Sequence, residues 1–173
     1  MRSSEVTIGR TVVVVLEHGD DFYTALAQAC TDNGIRQGYI PMFIAGFAAA
    51  DLVGTCEQLE DPQAPVWSKV HLTNIEALGG GTLAWDDTTA SIAPHIHVTV
   101  GLKQHSATAH TSHLLNATVQ FLTEMIIVEV VDPPLQRQKK ADLYDVPLLT
   151  FGPKLHPGKP DQDIPLGPIH DLG

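Results

Sequence analysis

From His95 to Val100 the chain alternates strictly between two kinds of side chain: His95, His97 and Thr99 at odd positions, Ile96, Val98 and Val100 at even ones. A repeat of two belongs to an extended strand, so this stretch predicts a half-buried strand over Ser91–Leu102 with the aliphatic face turned to a core. Histidines two apart on a strand share a face and lie roughly 6.5–7 Å apart at about 3.3 Å rise per residue, close enough for both imidazoles to converge on one ion. Five of the nine histidines, His95, His97, His105, His110 and His113, fall between 95 and 113, in a chain of which only 17% is charged.

A metal needs a third ligand, and chain parity selects one. If residues 95–100 pair with the chain returning after Gln104-His105-Ser106, a three-residue hairpin loop sets His97 opposite His113, on the same face as His95; a two-residue loop gives the wrong parity. His105 then falls in the loop and His110 on the other face, so both are expected to meet solvent. Alone, His-x-His on a strand is more often an ordinary surface or packed pair than a metal site. The third histidine shifts that balance. Three imidazoles with one open position make a reactive rather than purely structural zinc site. No cysteine or acid competes within the cluster, and no nucleophile stands in a Gly-x-Ser-x-Gly setting. Glu124 and Glu129 downstream are candidates for a supporting partner or general base.

The rest of the chain is mostly strand. Thr11–Leu16 is a β-branched run that reads as a buried strand. After it Asp20 or Asp21 can cap a helix whose apolar residues Phe22, Ala25, Leu26, Ala29 and Cys30 recur at helical spacing, ending at Asn33-Gly34. His18, before that helix, reads as a turn residue. Gly38–Val53 reads as two strand pieces bent at Gly46, Cys56–Pro65 as a surface loop, and Val66–His71 as a short edge strand. Gly79-Gly80-Gly81 lacks the Lys-Ser/Thr of a phosphate cradle and reads as a bulge or close backbone approach between two strands. A second long apolar element covers Leu114–Val131. One clear amphipathic helix, with strands following one another without a strand-helix rhythm, predicts an α+β fold with a largely antiparallel β-sheet.

At 173 residues one domain is the economical reading. A formal charge of −10 repels a phosphate backbone, which disfavours direct nucleic-acid binding. No apolar run is long and uninterrupted enough to span a bilayer, and Met1–Glu5 does not open an export signal, so the cytoplasm is the expected compartment. Cys30 and Cys56 form no C-x-x-C pair, and Cys30 reads as a buried reduced thiol. Composition changes at Asp132: residues 133–173 hold eight of the twelve prolines. The reading is thus a metal-binding domain over 1–132 and a Pro-rich tail over 133–173, extended and largely irregular. Leu148, Leu149, Phe151 and Leu155 suggest that the tail packs on the body or a neighbouring subunit, and Arg137-Gln138-Lys139-Lys140 reads as a solvated charge run.

At this point the sequence resembles the plants-and-prokaryotes conserved (PPC) domain family, over most of residues 10–131. The resemblance lies in His18-Gly19-Asp20-Asp21, Asn33-Gly34-Ile35, Phe43-Ile44-Ala45-Gly46-Phe47, Ile75-Glu76-Ala77-Leu78-Gly79-Gly80, Pro94-His95-Ile96-His97, Ser112-His113-Leu114-Leu115 and Thr123-Glu124-Met125-Ile126-Ile127. It departs at Thr111-Ser112, where the family usually has glycines, and at Gly19-Asp20, where Gly-Glu is usual. The resemblance implies a homotrimer of α+β subunits with a metal held by His95, His97 and His113. The same pattern is similar, more distantly, to α-acetolactate decarboxylase, a zinc enzyme.

Two functions follow. The first is a trimeric binding or regulatory module, with direct DNA binding weak or indirect because the AT-hook of plant members, with its Arg-Gly-Arg-Pro core, is missing. The second is a metal-dependent lyase or hydrolase acting on a small oxo- or hydroxy-acid, with a small anionic ligand at the metal and Arg36, Glu76 and Glu124 as candidate catalytic groups.

Overall fold

A computed structural model describes residues 1–55, 67–102 and 108–153. Five strands and one helix make the body: β1 (Thr7–Glu17), α1 (Phe22–Asp32), β2 (Gly38–Thr55), β3 (Trp67–Asp86), β4 (Ser91–Leu102) and β5 (Ala109–Asp132). Every pairing among these strands is antiparallel, in the order β1-β5-β2-β3-β4, and β4 pairs again with β5, closing the sheet into a barrel. The α+β expectation is met. One edge of β5 carries β2, and the other is shared between β4 near its start and β1 near its end. Helix α1 packs against β1, β4 and β5.

Helix α1 begins where the sequence places its cap. The Asp21 carboxylate accepts from the Thr24 amide at 2.8 Å, which satisfies one of the free N–H groups of the first turn. Phe22, Leu26 and Cys30 are wholly buried and plug the barrel, with the Phe22 ring tilted against Phe43 and edge-on to Phe47. The helix stops at Asn33, and Gly34 takes the left-handed conformation that a side chain resists (φ +64°).

Strand β2 runs unbroken through Gly46. The glycine marks a crossing rather than a bend: a Cβ there would lie 2.5 Å from the Gln120 carbonyl, and the β2–β5 register slips on either side of it. Likewise the expected strand at 66–71 and the two pieces around the glycine triplet form a single strand, β3, whose first part pairs with β2 alone, as an edge, and whose Ile75–Asp86 part lies between β2 and β4, although Val66 itself lies outside the described residues. The bulge sits opposite the triplet, in β2, where Ile40 to Phe43 spans one residue more than its partner Gly81 to Gly79. Gly79 and Gly80 admit it: a Cβ on Gly79 would come within 2.6 Å of the Phe43 ring and 2.7 Å of the His97 carbonyl, and one on Gly80 within 2.8 Å of the Ile40 carbonyl.

Strand β1 also differs from expectation. Val14 and Leu16 are buried, but Val13 is 72% and Val15 56% exposed, so its apolar run covers both faces while only one meets the core. The segment after Asp132 departs most. Leu135–Lys140 (β6) and Val146–Phe151 (β7) pair antiparallel as a hairpin joined through a 3-10 turn, Ala141–Leu143. It is tied to the body by Gln37, whose Oε1 accepts from the Leu135 amide at 2.7 Å, and by a small cluster of Ala84, Val130, Leu135 and Phe151. Pro133 and Pro134 precede β6, and Pro147 in β7 did not prevent pairing, because a two-stranded ribbon has free edges where a missing N–H is tolerated. Leu155, Cys56 and the expected loop at 56–65 lie outside the described residues.

Candidate metal centre

The alternation read in β4 holds. Ile96, Val98 and Val100 are at most 1% exposed, and His95 and His97 point the other way, out of the barrel. The β4–β5 ladder pairs His97 with His113 and Val98 with Ser112, the register that brings the third imidazole to the first two. On the other side β3 supplies Thr82 opposite His95 and Gly80 opposite His97.

The three rings form one cluster. Their centroids lie 5.0 Å apart for His95–His97, 4.7 Å for His95–His113 and 5.5 Å for His97–His113. One ligand nitrogen from each falls within 4.8 Å of the others, and the Nε2 atoms of His95 and His97 are 3.0 Å apart. Two nitrogens about 2.0–2.1 Å from one ion at a tetrahedral angle stand about 3.3 Å apart, so this pair is near the spacing a shared zinc requires. His113 Nδ1 is buried with no hydrogen-bond partner, as is the hydroxyl of Thr123 elsewhere in the core.

Electrostatics favour lone pairs over protons. Burial, then His113, Arg137 and His97, holds the His95 imidazole down to about 4, and burial followed by His97 and Arg137 lowers His113. Burial that holds the His95 and His113 imidazoles down suits a cation that needs neutral imidazole. The donor set, all imidazole nitrogen, suits zinc and other late divalent metals better than calcium or magnesium.

The histidines open onto a cavity of about 1240 Å³ with a largely apolar lining. Hairpin β6–β7 forms one wall of it, through Arg137, Tyr144, Val146 and Pro147, and Trp85 and Lys69 stand in others. Arg137 belongs to the run expected to be solvated, yet it is half-buried and donates to the Thr82 hydroxyl at 2.6 Å and the Thr82 carbonyl at 3.1 Å. Composition concealed this residue. The available signal was Leu135-x-Arg137-x-Lys139, a strand alternation inside a proline-rich segment. Tyr144, at the turn with φ 56°, was not anticipated either.

The other expected residues disperse. Glu124 pairs with Val15 and Ile44, and Glu76 with Gly46 and Gly101; both are exposed, and neither lines the histidine cavity. Arg36 lies over the Trp85 ring at 4.2 Å and pairs with Asp87 at 3.7 Å, behind residues that do line it. Glu129 is bound to Arg10 at 3.0 Å. His110 is exposed and outside the cluster, and His105 lies outside the described residues. His18 does more than turn the chain: its Nδ1 accepts from the Phe121 amide at 3.2 Å, where β5 bulges with Phe121 at φ 70°.

A closed antiparallel barrel plugged by one helix, with three histidines gathered on its outer wall, defines the class. The Plants and Prokaryotes Conserved (PCC) domain matches residues 3–131, and the chain belongs to that family. Solved structures agree on the fold. The metal-containing protein of Archaeoglobus fulgidus aligns at TM-score 0.70 and 19% identity, over 86% of this chain and 99% of that one. A candidate DNA-binding protein from Ralstonia eutropha JMP134 aligns at 0.63 and 22%, over 80% of this chain and 89% of that one. The α-acetolactate decarboxylase of Bacillus subtilis is more distant, at 0.50 and 13%, over 68% of this chain and 52% of that one. No curated protein matches the sequence.

Proposed function

We propose that this protein is a homotrimeric metal-binding module in which His95, His97 and His113 hold one divalent ion, zinc in the first instance, with an open position toward the cavity. The observation that carries this reading is the convergence of three imidazoles, two from β4 and one from β5, with burial lowering the His95 and His113 imidazoles. Bound there, zinc supplies a Lewis acid for a carbonyl, carboxylate or water oxygen. The chain's own residues position the ligands, with core packing of Ile96 and Val98 fixing the strand and the cavity wall limiting access.

Trimer formation is supported by the outer sheet face, where Val13, Val15, Ile44, Leu78, Leu122 and Ile126 are all exposed and adjacent through the β1–β5–β2–β3 register. An uncovered apolar strip of this kind is characteristic of an interface. A regulatory or DNA-associated role comes from the family, and direct duplex binding is weak on account of the −10 charge. A sub-micromolar, salt-sensitive mobility shift with purified protein would overturn that part. The second reading, a lyase or hydrolase for a small oxo- or hydroxy-acid, draws support from the apolar cavity over the histidines. Its candidates Arg36, Glu76 and Glu124 do not line the cavity within one subunit, so they act in it only if assembly brings them there.

Elemental analysis tests the centre. Wild-type protein purified after zinc supplementation is expected to carry one zinc per chain and His97→Ala none. An empty wild-type protein, or full occupancy in His97→Ala, removes the assignment.

A further inference from the structure

The hairpin β6–β7 lies beyond residues 3–131, over which the family matches, and it walls the histidine cavity. Within that wall, and among the described residues, Arg137 is a cation with no anion paired to it. Its Nη2 donates to the hydroxyl and carbonyl of Thr82, and its Nε to the Ala93 carbonyl at 3.4 Å, all neutral acceptors. Among the described residues no carboxylate pairs with it, and its Nη1 makes no hydrogen bond. Thr82 is the cross-strand partner of His95. Directly opposed residues have Cβ atoms about 4.5–5.5 Å apart, so the guanidinium is anchored beside a histidine of the cluster.

The cavity's own acids do not answer it. Asp86 accepts from the Thr88 amide and hydroxyl, Asp87 pairs with Arg36, and Asp145 is exposed to water. Lys69 is already held by Asp51 at 2.9 Å. A half-buried guanidinium keeps its charge and is a poor thing to leave uncompensated, and its planar fork matches a carboxylate.

We infer that the C-terminal hairpin decides which ligand the histidine centre accepts: Arg137 receives the carboxylate of a small organic acid whose apolar body lies against Trp85, Leu115 and Pro147. The inference deepens the metal-centre reading, in which a second oxygen of the same acid reaches the histidines. Phosphate and other compact anions satisfy Arg137 but leave the apolar walls bare, so an aryl or alkyl carboxylate fits better.

The test is isothermal titration of the full chain, zinc-loaded and again after EDTA treatment, with benzoate and with neutral benzamide. Benzoate is expected to bind, with benzamide at least about tenfold weaker. Arg137→Gln should weaken benzoate by about ten- to a hundredfold, the size of a lost hydrogen-bonded charge pair, and Arg137→Lys should recover part of it. Should Arg137→Gln fail to fold, Val146→Trp fills the cavity from the hairpin and is expected to abolish benzoate binding. Equal affinity for benzoate and benzamide, no benzoate binding by wild type, or a folded Arg137→Gln that binds as wild type overturns the inference. The two readings fail separately: a protein that takes no zinc but loses benzoate with Arg137→Gln keeps this inference without the metal, and one that takes zinc while ignoring Arg137 does the reverse.

Discussion

Strand β4 has two faces built on opposite principles. Inward, Ile96, Val98 and Val100 are excluded from water and packed among Phe43, Leu114 and the helix plug, and each aliphatic side chain contributes about 1.5–3 kcal/mol by burial. Outward, His95 and His97 gain no comparable burial and lie against each other and His113. The inner face holds the strand in place, and the outer face uses that placement. Residues one position apart should therefore respond to substitution in different observables.

The sharpest break of this division is Ile96→Ala, expected to lower the stability of the metal-free protein by about 2–5 kcal/mol through lost transfer energy and a cavity. His97→Ala, on the exposed side, should change it by no more than about 0.5 kcal/mol in the same urea titration. Comparable losses in both would show that the outer face is structural as well.

A second test concerns the wider outer face. Leu78→Asp places a charge in the exposed strip beside Ile44 and should convert the proposed trimer into single chains of 18.6 kDa by light scattering, with the barrel's far-ultraviolet spectrum retained. A monomeric wild type, or a variant that still assembles, refutes the assigned interface.

A smaller effect separates the faces by pH. The folded pKa of His95 is about 4 against an ordinary value of 6.5, so the unfolded chain binds the extra proton more readily in between. Stability from this group is complete above about 6.5 and is lost as pH falls toward 4. Solvent screening at a part-exposed ring reduces its size. Chemical denaturation of metal-free protein across that range should show the slope, and His95→Asn should flatten it. A slope unchanged in the variant would place the linkage elsewhere. Smallest of all, His110→Ala should leave zinc stoichiometry at the wild-type value, because His110 stands outside the cluster.

Much of the site was legible because strands obey parity. The period of two in His95–Val100 separated the faces, and a three-residue loop at 104–106 would set His113 opposite His97 and His110 on the other face, the same three histidines that the family resemblance implies. Helix α1 was equally plain, since cap, stripe and terminal glycine are local signals. The long strands were harder. Gly46 and the 79–81 triplet are breakers by composition, and whether a glycine bends a strand or lets a neighbour approach depends on what packs against it, here Gln120, Phe43 and the β2 bulge.

The sequence by itself determined which side chains share a face, where the helix starts and stops, and which three histidines a pairing of β4 with β5 would gather. All of these rest on repeats and turn lengths that act within a few residues. Only the tertiary structure decided that the sheet closes on β5, that Glu76, Glu124 and Arg36 stand apart from the cavity, and that Arg137 enters it from a proline-rich segment. Those outcomes depend on contacts between residues tens of positions apart, such as Arg137 with Thr82 and Gln37 with Leu135, for which the linear order of the chain carries no periodic signal.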